Sequence, residues 1–356
     1  MNVTFIDLFS GIGGFHSGLE KAGMRCIGWC EFDKFAQKSY RAMYDTKGLW
    51  FSDDIRTTKG DELPRADMWT FGFPCQDISI AGKKGGIKQG TRSGLFYEVM
   101  RLIDECPKEN KPKYLLIENV KNLLSIDKGR GFLSVLCEMA ERGYNAEWKV
   151  YNSKDYGVPQ NRERVYIVGY NGETSGRQLL PWPRKSGSTI NQVGNLIDTL
   201  SFGGNHQSGL VYSSDGVSLT VNCMGGGGLE LKVLTNFIDL STKNVKITDN
   251  CRSLMAKYTA GITNHAAVNS GVLEVYNTET TGVNLGVLES ENTIRIRKLT
   301  PRECWRLQGF TDEQFDRARA VNSNTQLYKQ AGNAVTVNVT YEIGKHFMAI
   351  FEGELN

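Results

Sequence analysis

Strand-like and helix-like segments alternate over the first 170 residues, and this alternation constrains the fold more than any other feature of the chain. Val3–Phe9 is an apolar, partly alternating run that stops at Ser10-Gly11-Ile12-Gly13-Gly14. A helical stretch follows to Ala22, and Gly23 stands where a C-terminal glycine cap belongs. Arg25–Glu31 reads as a second strand and Asp33–Tyr44 as a helix with an acidic N-cap. Met68–Gly72 and Tyr114–Ile117 read as short buried strands separated by a helix over Leu95–Cys106. Phe132–Arg142 is a further helix, and Glu147–Val150 and Arg164–Tyr170 are further strands. Strands alternating with helices of this length build βαβ units, so the expected fold class is α/β with a mostly parallel sheet.

The texture changes near Asn171. From there to about Asn292 the chain is rich in Gly, Ser, Thr and Asn, with short β-like runs at Gly209–Tyr212, Val217–Val221 and Val272–Tyr276. This reads as a second, β-rich domain over 171–292. Helix signals return after Arg297. Thr300-Pro301-Arg302-Glu303 is a capping box with proline at the first helical position, and Thr311-x-x-Gln314 opens another helix. Gly332-Asn333 is expected to break the chain before an apolar helix from about Val335 to Phe351. Residues 293–356 should thus return to the domain formed by 1–170. A length of 356 residues agrees with two domains.

Composition excludes several classes. With 40% hydrophobic and 23% charged residues the chain buries a real core, which rules out global disorder. No window approaches the roughly 18 apolar residues of a membrane span. Met1–Asp7 lacks a basic n-region, so a signal peptide is not expected and an intracellular, cytoplasmic protein is. Eight cysteines form no Cys-x-x-Cys pair, and with four histidines no zinc spacing arises, so no metal is expected and free thiols are. The net charge of +3 is too mild to announce a nucleic-acid partner. Locally, Gly82–Arg92 concentrates Lys83, Lys84, Lys88 and Arg92 among glycines, with no acid, as a loop closing over phosphates would.

Ligands of open parallel sheets bind outside the carboxyl ends of the strands. Phe9-Ser10-Gly11-Ile12-Gly13-Gly14 sits at such an end, but it is not the dinucleotide fingerprint, because His16 holds the third glycine position. Glu31, twenty residues beyond Gly11, is placed to accept from ribose hydroxyls. Asp54 could meet an adenine amino group and Ile55 its face. These point to an adenosine-type ligand without a pyrophosphate. Phe73-Pro74-Cys75-Gln76 and Glu118-Asn119-Val120 each follow a strand, about one βαβ unit apart. A cysteine nucleophile beside a carboxyl acid suits covalent catalysis on an electron-poor ring. Gln160-x-Arg162-x-Arg164 has period two, so its side chains should share one face, where arginines could hold a carbonyl oxygen or a phosphate.

Together, and in this order, these motifs resemble the DNA (cytosine-5)-methyltransferases of bacterial or phage type. Arg297–Glu303 and Gln330-Ala331-Gly332-Asn333-Ala334-Val335 are similar to the last two family motifs, and Ser218-Leu219-Thr220-Val221 with Gly225–Gly228 resembles a stretch of the target-recognition domain. Arg92-Ser93-Gly94-Leu95 departs from many relatives before the leucine. The resemblance implies a Rossmann-like, S-adenosylmethionine-dependent methyltransferase fold with a smaller β-rich target-recognition domain. It implies S-adenosylmethionine at Phe9, Gly11, Gly13, Gly14, Glu31, Phe32, Asp54, Ile55, Pro74, Leu95, Asn333 and Ala334. Double-stranded DNA would be contacted by Gln76, Ser79, Lys83, Lys84, Lys88, Arg92, Gln207 and Thr220. The residues from Gly172 to Ser290 carry 8 bases and 9 acids, so this segment should read base edges more than phosphates.

The implied chemistry adds the Cys75 thiolate to carbon 6 of cytosine, which makes carbon 5 nucleophilic. Glu118 would hold ring N3, Arg162 would polarise O2 with Arg164 beside it, and a bound water would take the carbon 5 proton. The target base must first leave the stack. A monomer is expected, with any cognate restriction endonuclease acting separately, and the lack of an N-terminal regulatory region suggests a stand-alone enzyme. Two alternatives stand beside this reading. A tRNA cytosine-5 methyltransferase shares the nucleophile, but such relatives tend to show Pro-Pro-Cys where this chain has Phe73-Pro74-Cys75. A catalytically inactive DNA-binding relative would not be expected to keep Cys75, Glu118 and Arg162. A nicotinamide dehydrogenase fails on the broken fingerprint.

Overall fold

A seven-stranded sheet organises residues 4–171, in a computed structural model that describes residues 2–74, 94–172, 177–185, 299–353 and several isolated strands between 192 and 297. Its strands are β1 (Thr4–Leu8), β2 (Arg25–Cys30), β3 (Trp50–Ser52), β4 (Met68–Gly72), β5 (Tyr114–Val120), β6 (Tyr144–Asn152) and β8 (Glu163–Asn171). A two-residue strand, β7 (Gln160–Asn161), stands apart. The order across the sheet is β3-β2-β1-β4-β5-β8-β6. Neighbours from β3 to β5 pair in parallel, whereas β8 runs antiparallel to both β5 and β6. The mostly parallel sheet read from the sequence is therefore present, with β8 as the one reversed strand.

Period-two alternation buries both faces of this sheet. Ile6, Leu8, Trp69, Phe71, Leu115, Ile117, Val165 and Ile167 enter one apolar core, with the helices Leu95–Glu105 and Arg130–Glu141. Phe5, Met68, Leu116, Tyr166 and Val168 enter the opposite core, with helix α1 (Gly14–Lys21) and the C-terminal helix Val337–Glu352. Burying a large apolar side chain contributes roughly 1.5–3 kcal/mol, and here β1, β4, β5 and β8 each contribute to two cores. A third core, built on Trp305, Phe310, Phe315 and Leu327, seats the C-terminal helices against Ile12 and Met43.

Most elements fall where the periodicity puts them. Asp33 caps α2 (Lys34–Met43) by accepting from the amides of Phe35 and Ala36. Both expected capping boxes form, at Thr300/Glu303 and Thr311/Gln314. Three expectations need correction. Glu118-Asn119-Val120 does not follow its strand but lies inside β5, because the antiparallel ladder with β8 carries pairing on to Val120↔Arg164, past the end of β4. Gly332 and Asn333 do not break the chain; they close a helix, Asn324–Asn333, whose polar sequence carries little apolar periodicity. The break comes at the extended Ala334, and the last helix starts at Val337.

Among the isolated strands, Asn292–Arg297, Val272–Asn277, Lys232–Leu234, Leu210–Ser213 and Gln192–Asn195 form a five-stranded sheet in that order. Ser218–Leu219 pairs instead with β7, in parallel, Ser218 opposite Gln160 and Leu219 opposite Asn161. No helix among the described residues is long and apolar enough to cross a membrane, and no group of His, Cys, Asp and Glu there could hold a metal.

Candidate active site

The sheet order reverses between β1 and β4: the chain proceeds outward to β2 and β3 on one side, then returns to β4 and β5 on the other. At such a switch point the loops leaving the two strands diverge and open a crevice at their carboxyl ends. Two of the motifs leave β1 and β4 at this crevice: Phe9–Gly14 after β1, and Phe73-Pro74 after β4.

The turn after β1 is built on backbone that side chains disfavour. Phe9, Gly11 and Gly13 all have positive φ, at 53°, 55° and 79°. For Phe9 this is a strained, left-handed conformation that persists only when the surroundings impose it. The three glycines of the motif serve different purposes. A Cβ on Gly11 would meet nothing within 4 Å among the described residues, which leaves its face of the turn open to a ligand. A Cβ on Gly13 would sit 2.6 Å from the Tyr44 ring, and one on Gly14 would collide with the Val335 carbonyl oxygen. Gly13 and Gly14 are thus required for packing, and of the expected cofactor glycines Gly11 alone has the open face.

Glu31, just beyond β2, closes the crevice. Its Oε2 accepts from the Gly11 amide at 2.8 Å and its Oε1 from the Asp33 amide at 2.6 Å. Burial pushes its pKa above the ordinary glutamate value, against the lowering effect of these two amides. Asp54 is held by Arg56 through both carboxylate oxygens, at 2.6–3.1 Å, and this pairing lowers its pKa. The Arg56 guanidinium also stands 5.2 Å from the centre of the exposed Phe32 ring. Phe32 and Asp54 are therefore joined through Arg56, which sequence reasoning missed although it stands directly after Ile55. Ile55 itself is buried in the first core, where Phe96 of the following helix also sits. Arg101 secures this loop, donating from Nη2 to the carbonyls of Ile55 and Thr58 at 3.0 and 3.1 Å. Leu95 opens the helix that carries Arg101 and is half-buried against the same core.

The acid lies across β4. Glu118 pairs with Gly72 in the parallel ladder, and its Oε2 lies 3.4 Å from where a Cβ on Gly72 would be. Its Oε1 is 3.0 Å from Nε of Arg164, an ion pair between largely buried side chains. The neighbouring Asn119 donates from Nδ2 to the Phe73 carbonyl at 2.7 Å, which fixes the strand end that leads through the exposed Pro74 to Cys75. Gln160, Arg162 and Arg164 do not act as one row. Gln160 donates to the Leu307 carbonyl, Arg162 donates from Nη2 to the carbonyls of Gly332 and Ala334 at 3.3 and 2.9 Å, and Arg164 pairs with Glu118. Between β7 and β8 the chain makes a break at Arg162, and this spreads the three side chains over different partners. Arg162 thereby links the Gln160-x-Arg162-x-Arg164 segment to the turn that carries Asn333, which is exposed, and Ala334, which is buried.

Cys75, Gln76, Ser79, Lys83, Lys84, Lys88, Arg92, Gln207 and Thr220 lie outside the described residues, as does the whole Gly82–Arg92 segment. Two placements bear on them. Cys75 directly follows Pro74, three residues beyond the Gly72 that Glu118 overlies. The Ser218–Leu219 strand, immediately before Thr220, is paired to the Gln160–Asn161 segment that leads into Arg162.

Comparison with known proteins places the chain in a family. Residues 3–349 match the family model of the C-5 cytosine-specific DNA methylases. The type II methyltransferase M.SsoII of Shigella sonnei is 33% identical, over 98% of this chain and 80% of its own. The type II methyltransferase M.Bsp6I of Bacillus sp. (strain RFL6) is 32% identical, over 96% of each chain. The structure of the Entamoeba histolytica methyltransferase EhMeth superposes with a TM-score of 0.62 over the full length of both chains; at 17% identity this attests the fold. The chain belongs to the C-5 cytosine-specific DNA methylases, enzymes that methylate cytosine in DNA.

Proposed function

We propose that this enzyme methylates carbon 5 of a cytosine flipped out of duplex DNA, with Cys75 as nucleophile, Glu118 as the acid at ring N3 and S-adenosylmethionine as methyl donor. The observation that carries the reading is the position of Glu118: held by Arg164, it overlies Gly72 at the strand end that leads into Cys75. The residues at the crevice fit the donor. Gly11 offers an open face, Glu31 offers a carboxylate to ribose hydroxyls, and the buried Ser10 hydroxyl has no hydrogen-bond partner among the described residues. Bound there, S-adenosylmethionine supplies a methyl group on a sulfonium, activated for transfer to a carbon nucleophile. Phe32 and Ile55 would flank its adenine, with Asp54 at the amino group, and Leu95, Pro74, Asn333 and Ala334 would complete the pocket.

Each protein residue then has a defined task. The Cys75 thiolate forms a bond to carbon 6 of cytosine, and the ring electrons move toward carbon 5. Glu118 holds a proton at N3, where negative charge would otherwise accumulate, and the Arg164 guanidinium keeps its carboxyl oriented. By its place in the motif, the role at the O2 carbonyl falls to Arg162. After methyl transfer, carbon 5 loses its proton to a bound water, and the bond to Cys75 breaks. Because a stacked base is out of reach, the target leaves the helix first, as with other enzymes that act on bases. Lys83, Lys84, Lys88, Arg92, Gln76 and Ser79 are assigned to the DNA around that base, and Gln207 and Thr220 to its sequence.

The β-rich part, residues 171–292, is the proposed target-recognition domain, and residues 1–170 with 293–356 are the catalytic one. We take the enzyme to act as a monomer in the cytoplasm of a bacterial cell or phage-infected host, any companion endonuclease acting separately. Bisulfite sequencing of DNA from cells expressing the chain tests activity and target together: methylated cytosines in one sequence context are expected, and none would refute the reading. DNA containing 5-fluorocytosine should trap the enzyme covalently, and a crosslink at any residue other than Cys75 would overturn the mechanism.

A further inference from the structure

The strained turn after β1 needs something to hold it, and the structure shows a hydrogen-bond chain that reaches it from the far C-terminal part of the sequence. The Tyr44 hydroxyl lies 3.0 Å from the carbonyl oxygens of both Ile12 and Gly13, and 2.6 Å from Ser17 Oγ. Ser17 Oγ in turn accepts from Gln314 Nε2 at 2.8 Å. These contacts fix the polarity of the chain. The Gln314 amide can only donate from nitrogen, so Ser17 receives that proton and directs its own to Tyr44. The Tyr44 proton is then left for the two carbonyls. The ring is held as well, stacked on His16 at a centroid distance of 3.9 Å and against Gly13.

Gln314 has a second duty. Its Oε1 accepts from the Thr311 amide, completing the capping box of the helix Asp312–Arg319. One side chain thus caps a C-terminal helix with its oxygen and feeds the relay with its nitrogen. Tyr44 is the C-cap of α2, which begins just after Glu31, so one helix joins the acid at the crevice to the support of the turn.

We propose that Tyr44 is a positioning residue for the methyl donor, its hydroxyl polarised by Ser17 and Gln314 so that the Ile12 and Gly13 carbonyls are held inward and the Gly11 face of the turn stays open. This rests on the reading of the crevice as the S-adenosylmethionine site. The turn is a conformation that its own residues resist, and such backbone survives where the surroundings over-determine it. Without the hydroxyl, the Ile12 and Gly13 carbonyls each lose one donor, Gly13 keeping the Ser17 amide at 2.9 Å, and the turn relaxes toward conformations that do not present the Gly11 face.

Calorimetric titration with S-adenosylmethionine, without DNA, is the test, read beside DNA affinity and Tm. Tyr44→Phe keeps the stacked ring and removes only the hydroxyl; its Kd for S-adenosylmethionine should rise about tenfold while DNA affinity is unchanged. Gln314→Glu is the sharper variant and serves alone if Tyr44→Phe does not fold. A glutamate keeps the oxygen that caps the helix, so Tm should hold, but it has no proton for Ser17. Ser17 would then donate to the glutamate and Tyr44 to Ser17, releasing the carbonyls, and the Kd should rise as in Tyr44→Phe. The double variant should be no weaker than the weaker single one, because both act on one chain. Donor affinity within twofold of wild type in either single variant, or additive losses in the double, would overturn the proposal. Wild-type protein that bound no S-adenosylmethionine would remove the site reading itself, and this proposal with it.

Discussion

The two sides of the crevice are built by different means. On the parallel side, groups assigned to the methyl donor stand on turns beyond the ends of β1, β2 and β3, and the first of these turns holds Phe9 in strained backbone. On the side of the reversed strand, the acid stands within a strand that is paired on both edges at Glu118, to Gly72 and to Tyr166. A parallel strand leaves its partners at its carboxyl end and must turn toward a helix. An antiparallel neighbour lets β5 run two residues further, so a ladder positions Glu118 where a turn positions Gly11. The difference teaches that the turn side depends on side-chain hydrogen bonds from distant segments, whereas the ladder side is set by backbone pairing, with Arg164 of the reversed strand holding the carboxylate.

The largest test of this contrast is Glu118→Gln, which keeps the side-chain shape in a rigid ladder and removes the acid. Methyl transfer should fall by about two to four orders of magnitude, with donor affinity and Tm close to wild type. A comparable loss of donor binding would show that the two sides are not separable. Gly14→Ala should act on the fold, since its methyl group would collide with the Val335 carbonyl. A loss of about 2 kcal/mol in denaturant unfolding is expected from overpacking at this contact. Gly11→Ala meets no atom within 4 Å, yet its positive φ strains any side chain, so it should cost less stability and show its effect in donor binding.

Glu31→Gln should weaken S-adenosylmethionine about tenfold, the loss of charge-assisted acceptors at one site, while methyl transfer at saturating donor persists. The smallest effect is the pH dependence that goes with it. Burial raises the Glu31 pKa, so its protonation on acidification begins above the range of an exposed glutamate. The raised value means that its contribution to fold stability is present at low pH and is lost as pH rises through the folded-state pKa. Donor binding calls on the ionised form and has the opposite sign, so affinity should drop as pH falls toward that value. Isothermal titration across the acid range should show this slope in wild type and a flatter one in Glu31→Gln; equal slopes would assign the titration to another group.

Much of this molecule is legible in its residues. The alternation of apolar positions writes the strands, because a strand buried on both faces must place every side chain in one core or the other. Asp33, Thr300 and Thr311 announce their helices because a cap is a local hydrogen bond between residues three apart or fewer. The order of motifs reveals the family because each carries reactive groups that the chemistry requires. Other features depend on distance in sequence. The helix Asn324–Asn333 carries only Leu327 and Ala331 as buried apolar side chains, one turn apart on its core face, too short a stripe to betray it among polar residues. Period two in Gln160-x-Arg162-x-Arg164 predicts one face, but a break in the strand at Arg162 sends its guanidinium to carbonyls 170 and 172 residues away. Sequence alone determined which residues could do the chemistry; the tertiary structure decided that Arg164 holds Glu118, that only Gly11 among three glycines is open, and that a glutamine at 314 supports a turn at 12. Side-chain hydrogen bonds between remote segments have no period and leave no pattern in the chain, so they exist as information only once the fold has brought the partners together.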